Sequence, residues 1–310
     1  MLQAQTLPSS SSISHVLLVD KAQGMSSHDV VRLLRRALHL RSIGHAGTLD
    51  PMATGLLVMG IGQGTKLLPY LMAQVKAYTA TVRLGVETDT LDAEGTIIRT
   101  APVPSLSEAD VKAATRGFLG KISQTSPVFS AIKQDGIALY KRARRGEHVE
   151  APSRQVDVFE VQARYVDAVT LEFQLVVGKG FYVRSFARDI AHALGTCGHL
   201  IQLRRLESGG FSVDRSVKTA LIERMIAGDV NAAQEVHARL LTLVEACRDW
   251  PTLELTHEGY QAVRHGKVLM TSAFEHTCWE TIPAGEPLAL ISSTYGLAAI
   301  GVRNGDVIRV

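Results

Sequence analysis

Residues 16–19 are continuously apolar and run into Asp20-Lys21 and Gly24, a pattern that predicts a buried strand closed by a turn. Ser26 or Ser27 then caps a predicted helix over 29–36, where apolar positions recur at i, i+3 and i+4. Residues 44–64 are punctuated by glycine and read as loop and short elements. Alternation predicts a strand over 78–84, and 88–95 reads as a turn before another strand. Residues 102–120 suit a helix capped by Ser107, with Glu108 and Asp110 in its first turn, where acids favour the dipole. Two strands are predicted over 156–166 and 169–177, then a helix over 184–194 closed by Gly195. From Trp250-Pro251 the texture changes to short strands between glycines, ending in an Asn304-Gly305 hairpin turn.

With 310 residues the chain exceeds what a single core usually supports, so two domains of unequal size are expected, divided near residue 248. Residues 1–15 are polar at their start, without the charged beginning and apolar middle of a signal peptide, and are expected to be a disordered tail. No run reaches the roughly 18 apolar residues of a membrane span, so no membrane partner is expected. Cys197, Cys247 and Cys278 are far apart and odd in number, which offers no disulfide framework and fits a reducing cytoplasm. The net charge is only +3, but residues 249–310 hold 4 basic and 7 acidic side chains, which leaves 29 against 23 in residues 1–248. A nucleic-acid surface, if present, belongs to the larger part.

Several sequence features carry little chemistry. Residues 60–66 resemble a phosphate loop but have Gly-Thr-Lys where Gly-Lys-Ser/Thr is needed. Cys197 and His199 lack further metal ligands at suitable spacing, so a buried thiol beside a surface imidazole is expected. Glu87, Asp89, Asp92 and Glu94 do not follow the order of a calcium loop and are expected to form a solvated turn.

The stretch 44–57, Gly-His-Ala-Gly-Thr-Leu-Asp-Pro-Met-Ala-Thr-Gly-Leu-Leu, is different. An Asp-Pro in a glycine-rich loop is by itself a turn former. Here the stretch resembles the signature of the TruB-type tRNA pseudouridine synthases. Val19-Asp20-Lys21 with Gly24 and Ser26 to Val31 resembles that family's opening motif, with Ala22 where proline is usual. Lys76-Ala77-Tyr78, Arg83-Leu84-Gly85 and Thr88 to Gly95 resemble its second block. Gly178 to Ser185 and Leu203-Arg204-Arg205-Leu206 resemble its last two, so the likeness spans roughly 16 to 213.

The resemblance implies an α+β fold, a mixed and mostly antiparallel sheet with flanking helices, followed over 249–310 by a small β-rich PUA-like domain. It implies conversion of uridine 55 in the T-loop of tRNA to pseudouridine, without cofactor, metal or guide RNA, by a protein expected to act as a monomer. Asp50 is implied as the catalytic aspartate, Tyr78 as the aromatic beside the flipped base and Arg184 as the ion-pair partner of Asp50. Lys21, His45, Tyr182 and Leu203 are implied as substrate contacts. The chemistry suits these residue types. The base must leave the stack, a carboxylate must stand near C1′ or C2′, and apolar or aromatic walls must hold the detached uracil while it turns.

Residues 133–145 contain Lys133, Lys141, Arg142, Arg144 and Arg145 against one acid, Asp135, within a basic segment, 129–150, that resembles the family's RNA-gripping insertion. Lys141, Arg142, Arg144 and Arg145 are therefore expected to contact phosphates, and Arg204-Arg205 with Arg32, Arg35 and Arg36 are candidates to extend the track. A guide-RNA-dependent, dyskerin-like synthase shares the catalytic motifs, and a non-catalytic tRNA chaperone would keep the groove. The basic insertion favours the stand-alone enzyme.

Overall fold

The apolar run at 16–19 forms the middle of β1 (His15–Lys21), where Val16, Leu17 and Val19 are fully shielded from solvent. The computed structural model describes residues 14–130, 132–134, 136–143, 145, 147, 149–275 and 282–310. The expected tail up to residue 13, Arg144 and Cys278 lie outside the described residues. Helix α1 (Ser27–Leu38) is capped by Ser26, not Ser27: the Ser26 hydroxyl accepts from Asp29 N, and the Asp29 carboxylate accepts from Ser26 N. Its Val30, Val31 and Leu34 pack on Leu17, Val19, Leu57 and Met59.

Residues 44–64 are more regular than their glycines suggest. They hold most of β2 (Ile43–Ala46) and all of β3 (Thr54–Ile61), which pair antiparallel. The strands that follow are β4 (Lys76–Leu84), β5 (Val86–Thr88), β6 (Ile97–Thr100), β7 (Gly120–Thr125), β8 (Lys133–Gln134), β9 (Ile137–Ala138), β10 (Ser153–Asp167), β11 (Thr170–Val177) and β12 (Gly198–Ser208). Between them lie α2 (Leu68–Met72), α3 (Glu108–Arg116), α4 (Leu139–Ala143) and α5 (Val183–Ala193). Helix α3 is shorter than 102–120 because Pro102 and Pro104 hold the preceding chain extended until Ser107 caps it through Asp110. Gly195, at φ +78°, closes the turn after α5.

One large mixed sheet orders its strands Val217–Lys218, β1, β3, β12, β4, β11, β10, β7. Its pairings are antiparallel except between β1 and Val217–Lys218 and between β3 and β12. The β3–β12 contact depends on Gly55 (φ +98°), where a Cβ would stand 2.2 Å from the Arg205 carbonyl oxygen. Without that close approach, β12 could not lie beside β3, the strand that leaves the Asp50 loop.

On one face, Tyr78, Ala80, Val82 and Leu84 of β4 join Leu171, Phe173 and Leu175 of β11 under α5, which contributes Val183, Phe186, Ala187 and Ile190. The Phe186 ring meets Phe173 edge to face at 5.1 Å. Beyond residue 248 a separate four-stranded sheet, Thr252–Glu254, Pro287–Ser292, Gly296–Asn304 and Val307–Arg309, has its own core around Leu253, Leu269, Leu288, Leu290 and Ile308. Ala289, Ile291, Leu297 and Ile300 also pack with Val16, Leu18, Leu56 and Val58, so this sheet is docked on the large one.

Candidate active site

The loop between β2 and β3 presents Asp50, and its neighbours fix it from below. Ser27 clamps Leu49 twice: its hydroxyl donates to Leu49 O at 3.1 Å and accepts from Leu49 N at 2.8 Å. Gly24 N donates to Pro51 O at 2.8 Å, and Ala53 N closes a turn on Asp50 O at 3.1 Å. Lys21 is wholly buried, its ammonium donating to the carbonyls of Ala22, Met25 and Pro51 at 3.0, 2.7 and 3.3 Å. Burial pushes its amine down to about 8, partly opposed by the nearby Asp50 carboxylate. The structure thus places Lys21 beneath the loop rather than on a face open to a ligand.

Arg184, in the first turn of α5, reaches Asp50. Its Nη2 donates to Asp50 Oδ1 at 3.3 Å, and its Nε stands 2.8 Å from Oδ2 but off the N–H direction, an ionic contact rather than a hydrogen bond. The guanidinium also donates to Thr90 O and Phe129 O, each at 2.9 Å. The Asp50 side chain keeps 32% of its surface exposed while that of Arg184 keeps 6%. One side of the carboxylate is therefore tied down, and the other faces solvent.

The turn at 88–95 is solvated only in part: Asp89 and Glu94 are exposed, but Glu87 and Asp92 are not. Asp92 is buried, with Oδ1 accepting from the Thr90 hydroxyl at 2.6 Å and from Glu94 N at 3.1 Å, and Oδ2 3.6 Å from Arg184 Nη1. Leu91 adopts φ +63° there, an uncommon conformation for a residue with a side chain, and its carbonyl accepts from Leu200 N of β12. Glu87 is buried as well and meets His192 Nε2 at 3.1 Å. Asp92 is the site residue that sequence reasoning passed over. Its acidic neighbours disguised it as part of a polar turn.

Tyr78 and Leu203, each 7% exposed, share a buried cluster with Leu49, Met52 and Ala53, the residues flanking Asp50. Leu203 lies opposite Ala80, two positions along β4 from Tyr78. Tyr182 caps the start of α5, where its N–H donates to Gln124 Oε1 at 2.8 Å and its carbonyl accepts from Gln124 Nε2 at 3.1 Å. The Arg154 guanidinium lies 4.8 Å over its ring. His45, in β2, is half-buried. Burial, Arg205 and His28 together push its imidazole below the usual range, and its Nδ1 has no hydrogen-bond partner among the described residues.

The basic segment forms the small β8–β9 hairpin followed by α4. Lys141 falls within α4, Arg145 just after it, and Arg144 lies outside the described residues. Arg142 is engaged: its Nε donates to Glu147 Oε2 at 2.7 Å and its Nη1 to Gln134 Oε1 at 3.4 Å. Arg145 is exposed and stands 4.0 Å from the same Glu147 carboxylate. Glu147, just past the run that reads as basic, offsets part of its charge. Of the pair Arg204 and Arg205, only Arg205 is withdrawn from the surface; the Arg204 side chain keeps 41% of its surface exposed but is paired with an acid. Arg204 grips Asp20 with two hydrogen bonds of 3.0 and 2.9 Å, and Arg205 is 1% exposed. His199 is buried too, not a surface imidazole, with Nδ1 2.7 Å from Val86 O.

The arrangement is a half-open carboxylate held by a buried guanidinium and walled by a tyrosine and a leucine. It suits covalent or base chemistry by a carboxylate on a flat, uncharged group. The TruB family pseudouridylate synthase N-terminal domain matches residues 35–183, and the tRNA pseudouridylate synthase B C-terminal domain matches residues 184–246. A tRNA pseudouridine synthase B of Geobacter sulfurreducens is 38% identical over 303 residues, covering 95% of this chain and 98% of that one. One of Gluconacetobacter diazotrophicus is 44% identical over 255 residues, covering 82% and 81%. A chain in the crystal structure of a Cbf5-Nop10-Gar1 complex superposes with a TM-score of 0.73 at 23% identity, covering 96% of this chain and 83% of that one, a likeness of fold.

Proposed function

The chain belongs to the TruB family of pseudouridylate synthases, and from that premise we propose that it isomerises uridine 55 in the T-loop of tRNA, unaided by guide RNA, with Asp50 as its catalytic carboxylate. The observation that supports this reading best is the Asp50–Arg184 pair, a carboxylate oriented by a buried partner yet open on one side. A uridine turned out of the stack brings its sugar to that open side. Asp50 then attacks C1′ or takes the C2′ proton, and either route breaks the C1′–N1 bond. The uracil turns between Tyr78 and Leu203 and bonds to C1′ through C5. C5 loses a proton and N1 gains one, so the product is an isomer of the substrate.

Arg184 orients the carboxylate and Asp92 orients Arg184. Lys21 and Ser27 hold the loop in place. In this reading His45 and Tyr182 contact the RNA beside the flipped base, and Lys141, Arg142, Arg144 and Arg145 contact its phosphates. Residues 16–248 form the catalytic unit and 249–310 a second one of PUA type. The supporting facts for that boundary are the separate core of the four-stranded sheet and the end of the family match at residue 246.

The test is pseudouridine mapping on a T-arm stem-loop transcript incubated with the purified protein alone, in EDTA. Modification at the target uridine is expected with the natural chain, and none with Asp50→Asn at comparable RNA affinity. Product that appears only after a guide RNA or partner proteins are added would overturn the stand-alone reading. Tight binding without product on any tRNA would overturn catalysis itself.

A further inference from the structure

Tyr182 is held by two residues that face each other across a pair of strands and take no part in the isomerisation scheme. Gln124 of β7 stands opposite Arg154 of β10, so both side chains leave the sheet on the same face. Gln124 is 2% exposed and bonds the Tyr182 backbone at both its N–H and its carbonyl. The next residue, Thr125, accepts at its carbonyl from the Ser185 hydroxyl at 2.7 Å, so the end of β7 fixes the first turn of α5. Arg154 takes the ring, with its guanidinium 4.8 Å from the centroid. Gly180 leaves room for it, since a Cβ there would already touch the guanidinium at 3.4 Å.

Arg154 is set apart from Arg184 and Arg204, which hold carboxylates. Among the described residues its side chain has no ion pair and no hydrogen bond, and its Nε is shut off from solvent without a partner. The first acid along its strand, Asp157, is three positions away and alternates to the other face. A half-buried guanidinium that served stability alone would be expected to take a carboxylate or carbonyl partner. Its directed contact is instead the face of the Tyr182 ring, an attraction that holds the ring in one plane.

We propose that Arg154 is a positioning residue of the RNA site: with Gln124 it seats Tyr182, the backbone held by the amide and the ring by the guanidinium. This rests on the reading in which Tyr182 contacts the RNA beside the flipped base, and it deepens that reading. A ring already fixed before RNA arrives does not have to be ordered on binding, so less of the contact is lost to side-chain entropy. Two competing accounts give Arg154 a packing task alone or a phosphate of its own.

The experiment is a double-mutant cycle on the full-length chain, with Arg154→Met and Tyr182→Leu made singly and together and Arg154→Lys beside them. It measures kcat/KM on a T-arm hairpin, hairpin affinity across a range of salt, and urea midpoints. Arg154→Met is expected to lower kcat/KM about tenfold in the natural background and less than about twofold once Tyr182→Leu is present. Arg154→Lys is expected to keep kcat/KM within about threefold of the natural chain, because an ammonium also rests on a ring face. Equal losses in both backgrounds would overturn the proposal, and a salt slope lowered by about 0.7 alongside them would make Arg154 a phosphate contact. A folded Arg154→Met protein with unchanged kcat/KM and affinity would overturn it as well and leave packing. If Arg154→Met fails to fold, Arg154→Gln takes its place in the cycle, and failure of both would reduce Arg154 to a residue of stability. The same non-additivity is expected in hairpin affinity. A natural chain that binds the hairpin without forming pseudouridine would therefore sink the isomerase reading, while the affinity cycle still decides on Arg154.

Discussion

Arg184 Nη1 stands 3.6 Å from Asp92 Oδ2, and the two side chains keep only 6% and 7% of their surfaces exposed. The guanidinium is thus held between a buried carboxylate and the half-open one of Asp50. Its remaining donors go to carbonyls of two other loops, Thr90 O and Phe129 O. A single buried side chain therefore couples three loops to the position of Asp50.

Replacing Arg184 by lysine should lower kcat at least tenfold, a loss of about 1.4 kcal/mol or more in transition-state stabilisation. Charge is conserved, but one ammonium cannot span Asp50, Thr90 O and Phe129 O in the fixed geometry of a guanidinium. Single-turnover rates on a T-arm hairpin check this. Near-normal turnover would show that Asp50 does not need this partner.

Asp92→Asn should lower kcat by roughly tenfold with KM little changed, since Asp92 touches Arg184 and not the RNA. It should also cost about 1–2 kcal/mol of stability, less than the full penalty for breaking a buried pair, because Asp50 still faces the guanidinium. Turnover and urea midpoints measured together are the check. A stability loss with unchanged kcat would reduce Asp92 to a structural residue.

Neutralising Lys141, Arg142, Arg144 and Arg145 together should weaken tRNA binding and flatten its salt dependence. The log–log slope should fall by about 0.9 for each duplex phosphate the variant no longer engages, or about 0.7 on single strand. Arg142→Gln alone should contribute the least of the three arginines, because Glu147 already engages it. An unchanged slope in the fourfold variant would mean that the segment does not grip phosphate.

Acid should destabilise the protein partly through His45. Its folded pKa lies below the unfolded value of 6.5, so the unfolded chain binds the proton first. The contribution is fully present above 6.5 and is lost as pH falls through the window just below it. Urea midpoints at about pH 7.5 and about pH 5.5 should therefore differ less for His45→Gln than for the natural chain. His15 is lowered in the same direction, mainly by burial, so part of the acid loss should remain. Equal losses in both proteins would refute the depressed imidazole.

Much of the site is legible in the sequence because its parts are local. The Asp50 loop, the capping serine before α1, the Tyr78 strand and the Arg184 turn each announce themselves by residue type and spacing within one short segment. Strand alternation at 78–84 and the helix caps at Ser26 and Ser107 are backbone matters, settled by neighbours a few residues away. Which charges are buried, and with whom, is not written locally. Asp92 sits among acids that look solvated, and only the pairing of its loop with β12 and α5 sets it against the distant Arg184. Arg204 and Arg205 are adjacent in the chain and look alike, yet strand alternation sends one to Asp20 and the other under Gly47. The glycines of 44–64 read as loop because glycine disfavours strands locally. The tertiary fold overrides that, since at Gly55 only glycine lets β3 and β12 lie side by side. Local propensity and motif thus determine the parts, and long-range packing, which fixes burial and therefore electrostatics, decides which of them act together.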